Sequence, residues 1–359
     1  MSKSSFSAPF VRFSGKEQTL FAKRLSFLVK ANIPIVESLY LIRKQTKSRS
    51  KVKIFESVIN DVSNGQYLAT SLSKFGTIFG EFTVNIIRVG ELSGILGQNL
   101  QYLAEELTKK QALRAKVVGA LVYPLFITVA TLGVTSLITA FIFPKLMPIF
   151  SSLHIQLPLT TRMLIAVSAY LCAWGVATLL AMAVFVCVVV LIRSKSEKVR
   201  LLFDGLACKV PLMGAVMKSY NLANFCRTLG LLLKSGVSLP EAISISADTT
   251  RNLVYQKAYR VLAKNVTKGE PISRTLERMP ALFPDTMTYM ISIGETTGDL
   301  TATLAYLSDL YEAEVDELTK NLSSSIEPVL MIVMGLLVGL IAVSVITPIY
   351  AITQNLQPK

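Results

Sequence analysis

Three long runs of apolar residues divide the chain. They extend from about Val117 to Phe143, from Met163 to Ile192 and from Val329 to Ile349, and none of them contains a charged residue. A helix of about 20 apolar residues crosses the roughly 30 Å hydrocarbon core of a bilayer. Helices buried in soluble cores rarely stay uncharged over such a length. The pattern therefore predicts three transmembrane helices.

The sequence outside these runs predicts short helices, because sustained strand-type alternation is missing. Ser238–Glu241 fits a capping box with a proline inside the first helical turn. Gly65 and Gly269 suit helix ends, with further helices expected at 66–74 and 270–278. We therefore expect an all-α polytopic membrane protein whose polar parts are helical bundles.

The chain also contains an internal duplication. A shift of 204 residues aligns residues 21–39 with 225–243, and GELSGIL (90–96) with GETTGDL (294–300), without a gap. Each repeat is a polar module followed by an apolar run, so the repeats are parallel. The second run has no counterpart, because an extra crossing must return the chain to the side of the first module. Other retained pairs are Phe21 and Phe225, Leu25 and Leu229, Lys30 and Lys234, Phe79 and Phe283, and Pro124 and Pro328.

Basic residues cluster just before the first apolar run and just after the second, whereas only Lys145 and Arg162 lie between them. Because short cytoplasmic loops hold the excess of Lys and Arg, the N-terminus and both modules are expected in the cytoplasm. The predicted organisation is a short extension (1–16), module 1 (17–116), transmembrane helix 1 (117–143), an outer loop (144–162), transmembrane helix 2 (163–192), module 2 (193–327), transmembrane helix 3 (328–350) and an outer tail (351–359).

Composition narrows the functional classes. The chain is 52% hydrophobic with a formal net charge of +14, and a basic excess in a membrane protein indicates topology rather than nucleic-acid binding. The single histidine, His154, and the absence of nucleotide-loop and hydrolase motifs argue against an enzyme, a metal site or a cofactor. The apolar runs lack interior acids and bases, which disfavours a transporter or channel subunit. That class remains the main alternative, and a membrane-bound enzyme is a weaker one.

An acidic motif occurs once in each module and is the strongest candidate site. A glutamate stands between two glycines four residues apart, as Gly90, Glu91 and Gly94 and again as Gly294, Glu295 and Gly298. Such glycines permit close helix approach or mark a helix junction, and a buried glutamate needs a partner. Lys23 and Arg227 occupy equivalent positions in the two repeats and are candidate ion-pair partners. A contact with another protein, or ion binding, is the other interpretation.

The third apolar run contains Gly335 and Gly339, four residues apart. Small residues at this spacing form a face on which another transmembrane helix can pack closely. We expect packing within the protein or in a dimer.

The duplicated motif, in register with three spans in this order, resembles the PilC/GspF family of platform proteins from type IV pilus assembly and type II secretion. The resemblance covers residues 17–353. It implies a bacterial inner-membrane scaffold, homo-oligomeric and without catalysis or cofactors. A cytoplasmic hexameric ATPase would act on the modules, and the platform would pass its motion to pilin or pseudopilin subunits. Other inner-membrane assembly proteins and membrane lipid complete the implied partners. A metal site is not carried over, because its ligands cannot be matched to this chain.

The charge pattern makes a topological prediction. In a variant without native cysteines, cysteines introduced at Ser152 and Gln357 should react with a membrane-impermeant thiol reagent added to intact cells. A cysteine at Ser63 should react only after the membrane is opened. Labelling of Ser63 in intact cells would overturn the orientation.

Overall fold

The computed structural model describes residues 13–142, 145, 159–210 and 213–355. Throughout these residues the chain forms helices and contains no strand, as predicted. The prolines and the histidine of the outer loop, His154 among them, lie outside the described residues.

The first repeat forms short helices that lead into one long helix. The bounds are α1 (Gly15–Lys30), α2 (Ile35–Lys44), α3 (Arg49–Ser63), α4 (Leu68–Ser73), α5 (Gly76–Phe79), α6 (Glu81–Leu92) and α7 (Leu96–Leu137), and a π-helical turn (Ile138–Ile142) follows α7. The helix expected at 66–74 is α4, which begins two residues later. A capping box at Ser14 and Glu17 starts α1, so that both residues satisfy backbone N–H groups of its first turn.

After one apolar helix, the second repeat follows the order of the first, except that α5 has no helical counterpart and α9 has no equivalent in the first repeat. The bounds are α8 (Leu159–Lys195), α9 (Glu197–Lys209), α10 (Met213–Lys234), α11 (Leu239–Thr249), α12 (Leu253–Thr267), α13 (Ile272–Glu277), α14 (Asp285–Thr297) and α15 (Leu300–Asn355). Ser238 is the N-cap of α11, but its side chain makes no capping hydrogen bond. The predicted capping box is therefore wrong. The box requires hydrogen bonds at the N-cap and N3 residues, Ser238 and Glu241, and matching residue types at these positions do not by themselves form those bonds.

The chain divides into two compact units. One contains residues up to Lys116 together with Phe203–Glu317, and is called the module unit here. The other, the apolar unit, contains Val117–Leu202 and Leu318–Lys359. In the apolar unit the Ser168 hydroxyl donates to the Thr139 carbonyl over 2.6 Å, which links α8 to the π-helical turn.

Among the described residues, three helices are long and apolar enough to cross a membrane, within Leu96–Leu137, Ala173–Arg193 and Leu300–Ser344. Their apolar side chains are exposed, with Phe126 at 68% and Leu336 at 70%, which suits contact with lipid. Pro124 lies inside α7 without ending it. No side-chain or backbone atom lies within 4 Å of a methyl group placed on Gly335 or Gly339. The described residues do not show a helix packed on that face, and the packing expected there stays a prediction.

Each module is built around the same aromatic cluster. In module 1 the Phe21 ring lies 5.8 Å from that of Phe55 and 5.2 Å from that of Phe79. In module 2 the equivalent residues are Phe225, Tyr259 and Phe283. The Tyr259 ring stacks on Phe225 at 4.0 Å and lies 6.0 Å from Phe283. All six are almost fully buried (Phe21, Phe55, Phe79, Phe225, Tyr259 and Phe283), so the duplication extends to the packing of the core.

The first glycine of each motif allows a close helix approach. A methyl group on Gly294 would lie 2.6 Å from the Thr303 hydroxyl oxygen and 3.3 Å from Cα of Leu300. A methyl group on Gly90 would lie 3.0 Å from Cβ of Asn99 and from Cα of Leu96. The contacted residues are themselves equivalent in the two repeats. The glycines therefore seat α6 against α7, and α14 against α15.

This contact predicts the effect of a single methyl group. Gly294→Ala should lower the free energy of unfolding by about 1–3 kcal/mol, because overpacking forces neighbouring atoms apart. Thermal unfolding of the detergent-solubilised protein, followed by circular dichroism, measures the loss. Gly205→Ala is the matched control, because no atom lies within 4 Å of its added methyl group. That variant should be unchanged or slightly more stable. Equal effects of the two substitutions would contradict the packing role.

Candidate functional site

The motif glutamates bind the beginnings of neighbouring short helices. The carboxylate of Glu91, near the end of α6, accepts hydrogen bonds from the backbone N–H groups of Leu68 at 2.6 Å and Ala69 at 2.7 Å. These residues begin α4, whose N-cap, Tyr67, supplies no side-chain acceptor. The first N–H groups of a helix lack partners within the helix. A carboxylate there satisfies two of them and complements the helix dipole.

Module 2 repeats this arrangement at the same offset. The Glu295 carboxylate accepts hydrogen bonds from the N–H groups of Ile272 and Ser273, the latter over 3.1 Å, and from the Ser273 hydroxyl over 2.6 Å. Pro271, the N-cap of α13, makes no side-chain capping bond. The second glycine of each motif adopts a left-handed conformation, with φ of +72° at Gly94 and +77° at Gly298. The geometry therefore matches the interpretation of the motif as a helix junction.

The ion pairs suggested for these glutamates are wrong. Lys23 is exposed, and the Arg227 side chain bonds to Glu312 rather than to Glu295. The physical reason is that both oxygens of each motif carboxylate already accept backbone N–H groups. Those donors are nearby in the fold, but a pattern of side chains does not reveal them.

Arg227 instead centres a buried ionic cluster between the modules. Only 4% of its side chain is exposed. It pairs with Glu312 on α15, and its Nε lies 3.7 Å from the Glu106 carboxylate on α7. Neither acid was anticipated from the sequence. In the other repeat, Leu310 is equivalent to Glu106 and Thr108 is equivalent to Glu312. The duplication therefore does not mark either acid.

The two acids of this cluster have different environments. Burial raises the pKa of Glu106 to about 7, although Arg227, Lys110 and Lys109 lower it. Burial also lowers the pKa of Lys110, against the opposing effect of Glu106. Glu312 is more exposed, at 22% of its side chain. The buried guanidinium therefore has its closest partner in module 2 and a looser one in module 1.

Two further ion pairs align α7 with α15. Lys116 lies 2.6 Å from Asp316, and Lys109 lies 4.0 Å from Asp309. The separation in sequence is 200 residues for Lys116 and Asp316 and is the same for the other pair. The two helices therefore run side by side in the same direction over this stretch. Such exposed pairs add little energy individually, but they fix the register of the helices.

A cleft of about 200 Å³ opens beside the cluster. Its lining includes Arg227, Glu106, Ser308 and Asp309, and the Lys234 ammonium lies 4.3 Å from the centre of the Tyr102 ring. Among the described residues, no group of three or more His, Cys, Asp or Glu side chains is placed to hold a metal ion. The cleft lies between the helical bundles of the two modules. This boundary, with Arg227 at its centre, is called the seam here.

These features define a helical membrane protein with a duplicated module and an ionic cluster between the two modules. The chain matches the family described as "Type II secretion system (T2SS), protein F" over residues 21–144 and again over 225–348. The two matches begin 204 residues apart, as the duplication requires. The chain belongs to this family.

Relatives in both pilus and secretion systems are similar over nearly the whole chain. The type IV pilus assembly protein PilC of Thermus thermophilus is 34% identical over 95% of this chain and 84% of its own length. The type II secretion system protein F of Pseudomonas aeruginosa is 31% identical over 95% and 84%. The type IV pilus assembly protein PilC of the same organism is 28% identical over 92% and 88%.

The helix-capping role predicts the effect of removing one carboxylate oxygen. Glu295→Gln should lower the free energy of unfolding by about 1–3 kcal/mol, because its amide nitrogen would face an N–H donor that loses its acceptor. Thermal unfolding in detergent measures the change. Glu241→Gln, at an exposed position, is the control. Unchanged stability in Glu295→Gln would contradict the capping role.

The buried carboxyl of Glu106 predicts a pH dependence. Its pKa in the folded protein, about 7, lies above the ordinary value of 4.5, so its contribution to stability is complete below about pH 4.5 and is lost as the pH rises through about 7. Glu106→Gln should therefore lose less thermal stability than the native protein between about pH 5 and about pH 7.5. Glu105→Gln, an exposed neighbour, should behave as the native protein. The same pH slope in all three proteins would contradict the prediction.

Proposed function

We propose that this protein is an inner-membrane platform that couples a cytoplasmic hexameric ATPase to the polymerisation of pilin or pseudopilin subunits. Its modules lie in the cytoplasm, its C-terminal tail lies in the periplasm, and it performs no catalysis itself. Its relatives include type IV pilus assembly and type II secretion proteins, which supports assembly as the process.

The observation that carries this proposal is the continuity of α7 and α15. Each is one unbroken helix that begins in the module unit and continues into the apolar unit, over Leu96–Leu137 and Leu300–Asn355. A continuous helix transmits displacement or rotation along its axis better than a flexible linker does. The seam centred on Arg227 holds both helices together within the module unit. A force applied to the modules would therefore reach the spans through two joined rods.

The coupling can be tested by interrupting one rod. A Gly-Ser-Gly-Ser insertion between Lys116 and Val117 should abolish pilus or pseudopilus assembly, because a flexible segment transmits no torque. Membrane abundance of the protein and binding of the purified assembly ATPase to isolated membranes should persist. The same insertion between Lys47 and Ser48, in the exposed turn between α2 and α3, should preserve assembly.

Two results would overturn the proposal. Normal assembly with the insertion after Lys116 would exclude coupling through a rigid helix. Assembly that does not require this protein at all, measured in a deletion strain, would exclude the platform role itself.

A further inference from the structure

The two modules are equivalent in sequence, but their contacts are not equivalent. Within the chain, α6 of module 1 packs against α11 of module 2. The two helices meet where Val89 approaches Gly236, whose added methyl group would lie 3.9 Å from a Val89 methyl carbon. The contact is head-to-tail, because α6 and α11 occupy different places in the repeat. The equivalents of the two partners are α14 of module 2 and α2 of module 1.

Positions of α14 that correspond to buried positions of α6 are more exposed. On α6, Phe82 is 5% exposed and Ile86 is fully buried. The equivalent positions on α14 are Thr286, which is exposed, and Met290, which is partly exposed. Along the same edge, Tyr289 is 72% and Ile293, the equivalent of Val89, is 44% exposed. This side of α14 therefore leaves the apolar side chains of Tyr289, Met290 and Ile293 accessible.

The complementary face of module 1 is uncovered as well. On α11 and the turn before it, Val237 and Ile245 are each 6% exposed. Their equivalents are Ile33, which is partly exposed, and Leu41, which is 38% exposed. These positions are apolar in both repeats, but they are buried only in module 2.

We infer that the α14 face of one copy docks on the α2 face of a second copy, and thereby reproduces between chains the α6–α11 contact made within each chain. The occupant is a second copy because the chain itself supplies both halves of the contact, in a geometry that it already uses. Such an interface is heterologous. The spans that follow both modules keep the copies in one membrane plane, where a repeated rotation closes into a ring rather than a filament. This inference does not depend on the proposed function.

Cross-linking in native membranes tests the contact. In a variant without native cysteines, Ile33→Cys and Ile293→Cys are placed on separately tagged copies produced together. A short bis-maleimide should join the two tags covalently, whereas either variant alone should give little dimer. Val89→Cys with Val237→Cys in one chain is the matched control, because it probes the equivalent contact within the chain and should give no increase in mass. Ile293→Cys paired with Tyr67→Cys, which is 59% exposed and lies outside both faces, should not cross-link.

A second measurement does not rely on cysteines. Ile293→Arg should reduce the oligomeric mass of the detergent-solubilised protein in native mass spectrometry. Val261→Arg, at an apolar position of α12 that is 49% exposed, should leave the mass unchanged and shows that the substitution type is tolerated.

Three outcomes would overturn the inference. Ile293→Cys that cross-links strongly to itself would indicate a symmetric face-to-face dimer. Loss of ATPase binding by Ile293→Arg at unchanged oligomeric mass would assign the α14 face to that partner. Absence of the mixed cross-link, with an unchanged mass for Ile293→Arg, would show that the faces do not meet.

Discussion

The arrangement of the module unit depends on how the buried charge of Arg227 is neutralised. A guanidinium that is 4% exposed is tolerated only with acidic partners and hydrogen bonds around it. It hydrogen-bonds one carboxylate, that of Glu312 on α15, and a second, that of Glu106 on α7, lies 3.7 Å from its Nε. Removal of one partner from such a cluster typically costs about 3–5 kcal/mol, because the remaining charge stays buried. The cluster therefore fixes α10 against both helices that continue into the apolar unit.

Features with local causes could be predicted from the sequence. The three apolar helices, the all-helical modules and the duplication follow from composition and spacing. The left-handed turns at Gly94 and Gly298 follow from the properties of glycine. The aromatic core was only partly visible, because Phe55 and Tyr259 differ in residue type although they fill the same place.

Partners that come from the backbone could not be predicted. Glu91 binds backbone N–H groups 23 and 22 residues earlier in the chain. No side chain in the sequence indicates that those N–H groups lack an acceptor. A glutamate removed from water commonly pairs with a cation, but a helix start supplies the same positive potential without any charged residue. The capping box expected at Ser238 was wrong for the converse reason, since a matching pattern of side chains does not ensure that the hydrogen bonds form.

The partners of Arg227 were missed because they break the duplication. Lys23 occupies the equivalent place in module 1 and is exposed. Once two copies of a module pack head-to-tail, their surfaces face different surroundings and diverge. Contacts between modules should therefore be sought at positions that differ between the repeats, such as Glu106, which aligns with Leu310.

The two acidic partners of Arg227 hold it with different strength. Arg227 and Glu312 both belong to module 2 and form the close pair. The contact across the seam, to Glu106, is longer at 3.7 Å, and it involves a carboxyl group whose pKa of about 7 leaves it partly protonated near neutral pH. A longer contact to a partly neutral group resists displacement less than a close ion pair does. Arg227 is thus held more firmly within module 2 than to module 1, and the close ionic contact between α7 and α15 is the one between Lys116 and Asp316, 2.6 Å apart.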